Sequence, residues 1–290
     1  MKNKIIKWLI LLTLLIGLSW KIWSLPSETN IDMPNYTELP KENICLGLNY
    51  HRIHSPSLWN KTVEFLTGTK ELTTYNVYAD EFAKQMRWLK KQQVFLATQN
   101  DLYEFRQGRE IPNNCVWISF DDGDESIYNN AFPVLKQYDI PFTMYLITGH
   151  VGEAFQNFNL ATWDQLRSMQ KSGLVDFGSH THDMHYTKNG KAVFLNEGYA
   201  ESFRIDLQRS KQTMEQELGV NISTIAYPFG ETNKTVTEIV QQEGFKQAFI
   251  LSPNPISQRN TLFYTNRYLL DQNVFNQFVK PYIQQQNEKR

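Results

Sequence analysis

The sequence predicts an α/β fold, a single (β/α) barrel. From residue 44 onward, short apolar runs alternate with segments of helical period, which is the pattern of strand–helix–strand units in parallel sheets and barrels. About seven such units fit into the roughly 245 residues that follow position 44, the size of one barrel. Hydrophobic residues make up 41% of the 290 residues, which is enough for one extensive core, and neither a repeat nor a linker divides this region.

Seven apolar runs are strand candidates, because each is short and bounded by turn-forming residues. They are residues 44–50, 115–120, 142–147, 174–178, 224–227, 246–251 and 263–269. Amphipathic helices fill the gaps between them. Thr162 and Gln165 form a capping box that begins one helix, and Gly219 and Gly244 end the apolar stripes of two later ones.

Residues 1–25 predict an export signal or an N-terminal membrane anchor. Lysines flank an apolar run from Trp8 to Trp20, and no Ala-x-Ala cleavage site follows. A run of this length suits the core of a signal peptide, whereas the flanking lysines and tryptophans suit an uncleaved anchor, so both alternatives stay open. Residues 26–43 are polar and predict a linker. We therefore expect residues 44–290 to fold outside the membrane, at the cell surface or secreted.

The composition excludes one class of partner. Lys and Arg number 29 against 30 Asp and Glu, a formal net charge of -1, so the chain has no cationic field to hold nucleic acid. Aromatic residues reach 13%, and this residue class stacks on sugar rings, although most of them are expected in the core.

Two adjacent carboxylates follow the second strand candidate, in the sequence Ser-Phe-Asp-Asp-Gly at residues 119–123. Reactive groups of (β/α) barrels collect where strands end. Because neighbouring residues point in different directions, one of Asp121 and Asp122 can bind a cation while the other accepts a proton. An ordinary turn with a helix-capping aspartate is the alternative.

Three of the six histidines lie within six residues, directly after the fourth strand candidate. His180, His182 and His185 belong to the sequence His-Thr-His-Asp-Met-His. Neutral imidazoles together with a carboxylate form a site for Zn²⁺ or a similar divalent ion that leaves positions open for water and substrate. The cluster therefore predicts a metal centre rather than structural histidines.

These two motifs resemble those of the polysaccharide deacetylases of carbohydrate esterase family 4, which share the NodB-homology fold. The resemblance implies that Asp121 is the general base and Asp122 a metal ligand. The histidine motif is one residue longer than in most members, and this spacing is similar to that of poly-β-1,6-N-acetylglucosamine deacetylases. By that similarity His180 and His185 bind the metal, and His182 is the less favoured ligand.

A third motif, Ala-Tyr-Pro-Phe-Gly from Ala226, resembles the family's oxyanion motif, so the backbone N–H of Phe229 is implied at the oxyanion. Ala226 stands where the family has an arginine. Arg267 is a candidate to replace it in orienting the base, with a surface or packing role as the alternative. No histidine follows the metal motif, so the resemblance extends to a circularly permuted subgroup in which His51, after the first strand, is the general acid. It implies a distorted (β/α) barrel of the NodB-homology type, circularly permuted.

The resemblance implies metal-dependent N-deacetylation of poly-β-1,6-N-acetyl-D-glucosamine exopolysaccharide at the cell surface, in support of biofilm formation and adhesion. Zn²⁺ is the expected metal, with Co²⁺, Ni²⁺ or Fe²⁺ as alternatives. A peptidoglycan or chitooligosaccharide N-deacetylase is the alternative within the same chemistry. A catalytically silent carbohydrate-binding protein is the alternative from another class. We expect a monomer whose partners are the N-acetylglucosamine polysaccharide and, through residues 1–25, the cell membrane.

Two cysteines occupy matched positions in two strand candidates. Cys45 lies six residues before His51, and Cys115 lies six residues before Asp121. If the two strands are neighbours in register, both thiols face the same layer at the bottom of the barrel. A disulfide and a pair of buried thiols both fit this arrangement.

Overall fold

The computed structural model describes residues 43–55 and 75–289. The predicted signal or anchor at residues 1–25 lies outside the described residues, as does the predicted linker except for residue 43. Within the described part of the chain, no helix is both long enough and apolar enough to cross a bilayer.

The described residues alternate between strands and helices as the sequence predicts. The strands are β1 (Ile44–Tyr50), β2 (Arg52–His54), β3 (Asn76–Tyr78), β4 (Phe95–Ala97), β5 (Cys115–Phe120), β6 (Phe142–Leu146), β7 (Ala154–Phe155), β8 (Phe158–Asn159), β9 (Val175–Ser179), β10 (Thr187–Lys188), β11 (Lys191–Ala192), β12 (Thr224–Ala226), β13 (Gln247–Phe249), β14 (Ile256–Ser257) and β15 (Tyr268–Leu269). The helices are α1 (Ala79–Lys91), α2 (Gln99–Arg106), α3 (Phe132–Gln137), α4 (Trp163–Gln170), α5 (Ala200–Leu218), α6 (Lys234–Gln242), α7 (Gln272–Val274) and α8 (Lys280–Glu288). Short π-helical turns at Ile127–Ala131 and Phe275–Val279 precede α3 and α8, and 3₁₀ turns occupy Val193–Leu195 and Pro228–Gly230.

One curved sheet forms the centre of the molecule, in the order β13-β12-β9-β6-β5-β1. All neighbours along this path are parallel. β15 pairs in parallel with β1, and Thr265, just before β15, bridges Phe249 of β13. The segment 265–269 therefore joins the two margins and closes a distorted barrel. Within the described residues, the first strand therefore lies beside the last one.

The strands β1 and β5 have the bounds that the sequence predicts. Every residue in both is buried, as in parallel strands that are covered on both faces, so each reads as a continuous apolar run. The expected strand at residues 263–269 is wrong in extent, since only Tyr268–Leu269 pair as a strand. Thr265 bridges one neighbour in parallel and Arg267 bridges Ser252 in the antiparallel sense, so this segment crosses between neighbours instead of following one of them.

The helices begin and end at the predicted signals. Thr162 caps α4 through a reciprocal capping box with Gln165, and Gly219 ends α5 in the left-handed conformation. The buried face of α5 includes Phe203, Leu207 and Met214, which pack into the main hydrophobic core between the sheet and the surrounding helices.

Cys45 and Cys115 form a disulfide. They lie directly opposite each other in the parallel pair of β1 and β5, and both side chains are fully buried. Of the two arrangements that the sequence leaves open, the structure has the bonded one. The bond connects the strands that lead to His51 and to Asp121, at the end of the strands remote from those residues.

Candidate active site

The predicted site residues converge at the carboxyl ends of the central strands, where loops of a (β/α) barrel form its reactive face. His51 follows β1, Asp121 and Asp122 follow β5, and His180 follows β9. Together with His185 and Phe229 these residues line one cleft. The remaining residues of its lining are Arg52, Tyr75, Gln156, Asn157, Phe158 and Leu251.

Asp121 is held in a fixed orientation by three donating groups. Arg267 donates from Nη1 to Oδ1 at 2.7 Å and from Nη2 to Oδ2 at 2.8 Å, a bidentate pair. The side-chain amide of Asn49 donates to Oδ2 at 3.0 Å. Both Asp121 and Arg267 are almost completely buried, so a surface role for Arg267 is wrong. The guanidinium that contacts Asp121 comes from the last strand region of the barrel.

The charge of Asp121 depends on this partner. Burial by itself raises the pKa of the carboxyl group, but the Arg267 guanidinium opposes it, and with nearby His180 and His51 the net effect lowers the pKa below its usual value. Asp121 is therefore an ionised carboxylate, able to accept a proton.

Asp122 occupies a strained backbone position that turns its side chain away from that of Asp121. Its φ of +69° lies in the left-handed region, which residues other than glycine seldom adopt. Gly123 follows with a φ of +89°, and its N–H donates to the carbonyl of Asp121 at 2.8 Å, which makes the tight turn that the sequence predicts. The two adjacent carboxylates thereby have different surroundings.

Asp122, His180 and His185 bring one potential ligand atom each within 4.8 Å of one another. The Oδ1 atom of Asp122 lies 3.5 Å from Nε2 of His180 and 3.3 Å from Nε2 of His185. The two imidazole rings pack with their centroids 4.9 Å apart. One carboxylate oxygen and two imidazole nitrogens facing a common point form a donor set that suits Zn²⁺ and similar divalent ions.

The hydrogen bonding of the three residues fits a bound cation. Asp122 Oδ1 is buried and has no hydrogen-bond partner, which is costly for a carboxylate unless a cation meets it. Nδ1 of His180 lies 2.7 Å from the carbonyl oxygen of Ala226, so Nδ1 carries the proton and the Nε2 lone pair faces Asp122 and His185. Burial lowers the pKa of His185 to about 4, which leaves that imidazole neutral, as a metal ligand must be.

His182 has a different environment from the other two histidines of its motif. Its Nδ1 is hydrogen-bonded to the hydroxyl of Thr148 at 3.0 Å, and it does not belong to the Asp122, His180 and His185 group. The structure therefore brings together the two histidines favoured by the longer motif spacing and turns the third aside.

His51 and Phe229 lie on the walls of the cleft. The His51 ring packs against Tyr75 with centroids 4.9 Å apart, and its buried Nδ1 has no hydrogen-bond partner. Burial lowers the pKa of His51 despite the opposing carboxylates of Asp122 and Asp121. Phe229 has a φ of +62°, and its ring packs at a tilt against the His185 ring with the centroids 4.7 Å apart, so the motif backbone turns beside this candidate ligand.

Asn49 is a site residue that the sequence analysis missed. It is a fully buried polar residue in the otherwise apolar strand β1, and it bonds Asp121. A single amide within an apolar run was the available signal, because a buried polar group requires a partner.

Comparison with known proteins identifies the class. Residues 108–248 match the family model described as polysaccharide deacetylase. The chain is 35% identical over 242 residues to a poly-beta-1,6-N-acetyl-D-glucosamine N-deacetylase of Staphylococcus aureus (strain MRSA252), and the match covers 83% of each protein. A protein of the same name from Staphylococcus epidermidis matches with the same identity and coverage. The solved structure of IcaB from Ammonifex degensii superposes with a TM-score of 0.72 at 30% identity, covering 83% of this chain and 97% of that one.

A parallel (β/α) barrel with this site defines a hydrolase of amide bonds. The chain belongs to the polysaccharide deacetylase family. The NodB-type fold implied by the motifs is thereby confirmed.

Proposed function

We propose that this protein is a metal-dependent N-deacetylase of poly-β-1,6-N-acetyl-D-glucosamine. The observation that carries the proposal is the convergence, in one cleft, of an ionised buried carboxylate, a two-histidine and carboxylate donor set, and a further histidine. The polymer is the one named for the relatives from Staphylococcus aureus and Staphylococcus epidermidis.

Asp122, His180 and His185 are the residues that would hold the metal, with Zn²⁺ the ion that fits their donor set best. When bound, a divalent ion supplies a Lewis acid that polarises water and the acetyl carbonyl and offsets the charge of the oxyanion. Asp121 accepts the proton of the attacking water. Arg267 keeps that carboxylate ionised and fixes the orientation of its two oxygen atoms, so that Asp121 acts as a base without rotating.

His51 completes the hydrolysis as the general acid. Water oxygen adds to the acetyl carbon, the C–N bond breaks, and the leaving amine takes a proton from protonated His51, whose lowered pKa makes it the stronger acid; the products are acetate and a glucosamine unit. The backbone N–H of Phe229 donates to the oxyanion formed on the acetyl group. His51 and Asp121 follow the neighbouring strands β1 and β5, which puts the acid and the base on adjacent elements of the barrel.

The proposal extends to the cell surface. Deacetylation converts a neutral sugar into one that is cationic at neutral pH, so the modified polymer can adhere to anionic surfaces and support a biofilm. An enzyme with this substrate acts outside the cytoplasm, where the chain is secreted or anchored by residues 1–25. We propose that it acts as a monomer.

Acetate release from defined oligomers tests the function. We expect the full-length chain to release acetate from a β-1,6-linked N-acetylglucosamine oligomer faster than from a β-1,4-linked one of equal length. A chelator should abolish the reaction, and added Zn²⁺ should restore it, while Asp121→Asn serves as the inactive control. Equal or preferred turnover of the β-1,4 oligomer would overturn the substrate, and full activity in chelator would overturn the metal dependence.

A further inference from the structure

The segment between the two histidine ligands is held by a carboxylate that belongs to another element. His180 and His185 are separated by four residues, and the backbone at the first of these, Thr181, has a φ of +74°. A left-handed conformation at a β-branched residue is unfavourable, so surrounding contacts must fix it. This loop sets where both imidazoles point.

Asp206 on α5 supplies those contacts. Its Oδ1 accepts the backbone N–H of His182 at 2.7 Å, and its Oδ2 accepts the backbone N–H of Asp183 at 2.8 Å. The side chain is almost completely buried, with a relative exposure of 7%. Two consecutive amide groups of the loop thus converge on one carboxylate, and such charge-assisted hydrogen bonds are about twice as strong as neutral ones.

The same face of α5 also holds the start of the loop. Ser210, one turn after Asp206, shares a hydrogen bond with the hydroxyl of Ser179 at 2.8 Å, and that hydroxyl accepts the N–H of Thr181 at 3.1 Å. The N–H groups of His182 and Asp183 therefore bond the helix directly, and that of Thr181 is linked to it through Ser179.

The opposite side of the loop is fixed by the segment after β6. The N–H of Thr148 donates to the carbonyl of Thr181 at 3.2 Å, and the N–H of Gly149 donates to the carbonyl of His182 at 2.8 Å. A Cβ atom at position 149 would lie 2.6 Å from that carbonyl oxygen, so only glycine permits this approach. Contacts on one side alone would let the loop swing, whereas contacts on both sides set its position.

We propose that Asp206 is a positioning residue of the metal site, which acts by holding the loop between the ligands His180 and His185 in the conformation that binds the ion. The proposal rests on the metal site of the proposed function. Asp206 touches neither the ion site nor the substrate cleft, and it acts through the backbone of His182 and Asp183. Groups that orient metal ligands in this way typically change metal affinity by about 10–100-fold when altered.

The substitution Asp206→Asn separates positioning from packing. An asparagine has nearly the same shape, but only one of its two terminal atoms accepts hydrogen bonds, so it can satisfy one of the two amide groups and opposes the other with its own N–H. We expect the dissociation constant for Zn²⁺ to rise by about 10–100-fold in the purified full-length chain. Competition with a chromophoric chelator, which requires no turnover, measures that constant. Asp206→Glu retains two accepting oxygens, and we expect it to bind Zn²⁺ with an affinity between those of the parent and Asp206→Asn.

Asp176→Asn is the matched control. Asp176 is an exposed carboxylate near the start of β9 that accepts a backbone N–H from Gln99 at 3.3 Å, whereas the histidine loop follows the end of that strand. We expect this variant to bind Zn²⁺ as the parent does, even where its thermal stability falls. Circular dichroism and thermal unfolding of the metal-free chains then distinguish a loss of fold from a loss of affinity.

Each outcome separates the proposals. Parent-like Zn²⁺ affinity in a folded Asp206→Asn chain overturns the role of Asp206 and leaves the proposed function standing. An equal loss of affinity in Asp176→Asn also overturns it, since the loss of a carboxylate that bonds a backbone amide away from the histidine loop would then have the same effect. If Asp206→Asn does not fold, Asp206→Glu decides the question, because parent-like affinity in that variant contradicts a requirement for exact loop position. A parent chain that binds no Zn²⁺ overturns the metal site itself, and the role of Asp206 with it.

Discussion

Reduction of the Cys45–Cys115 disulfide should lower the free energy of unfolding without changing the chemistry. The two cysteines are 70 residues apart in the chain. In the chain-entropy model, a cross-link that closes a loop of this length stabilises the folded state by about 4 kcal/mol, because it restricts the unfolded chain. That is a large part of the free energy of unfolding of folded domains, which is roughly 5–15 kcal/mol.

The reaction should be insensitive to the same change. Cys45 lies six positions before His51, and Cys115 lies six positions before Asp121, so at about 3.3 Å per residue the bond lies about 20 Å from the proposed acid and base. We therefore expect a reduced but folded enzyme to keep the kcat of the oxidised one at 25 °C.

Urea unfolding with and without a strong reductant measures the difference. The reduced parent chain is the proper comparison, because it keeps both sulfur atoms and their packing, and the double variant Cys45→Ala and Cys115→Ala controls for effects of the reductant elsewhere. Curves for the oxidised and reduced parent that agree within about 1 kcal/mol would refute the entropic reasoning. A folded, reduced enzyme with a greatly lowered kcat would refute the separation of bond and site.

Further predictions concern the reaction itself. His185→Ala should lose bound metal together with turnover, as measured by metal content after dialysis, whereas His182→Ala should keep most of both because its ring bonds a hydroxyl instead. Asp121→Asn should keep its metal and lose most of kcat. Equal metal loss in Asp121→Asn and His185→Ala would contradict the assignment of Asp121 as base and His185 as metal ligand. Arg267→Met leaves a buried carboxylate without its cation, so we expect a cost of about 3–5 kcal/mol in urea unfolding, along with lost turnover. His51→Ala should lower acetamide hydrolysis by roughly 10²–10⁴ and affect an activated aryl acetate far less; a uniform loss on both substrates would count against proton donation.

The fold could be predicted from sequence where burial leaves a continuous pattern. The strands β1 and β5 are buried on both faces, and their bounds are those of the apolar runs. Shorter strands gave no such signal: Phe95–Ala97 has three residues and pairs with the first half of β5, and Ile256–Ser257 has two residues and pairs with the start of β1. The strand predicted at residues 263–269 was wrong in extent because this segment crosses from one neighbouring strand to another.

The parts of the site that could be predicted are those whose residues are close together in the sequence. The paired carboxylates and the histidine cluster are contiguous in sequence, so their chemistry was readable there. The contact between Arg267 and Asp121 spans 146 residues, and nothing in the local sequence of Arg267 distinguishes packing from orientation of the base. Asp206 was missed, although a signal existed: it lies on the same helical face as Phe203 and Ser210, where a charged residue requires a buried partner.

Arg267 also determines when during synthesis the protein can become active. A chain made from its N-terminus carries His51, the two carboxylates and the candidate metal-binding histidines long before residue 267 is added. Until then β15, which pairs with β1, is missing, and burying Asp121 would leave its charge without the guanidinium. We therefore expect Asp121 to be held in place as an ionised base only in chains that extend beyond residue 267. Truncations that end before Arg267 should lack activity even where the residues of both earlier motifs are present.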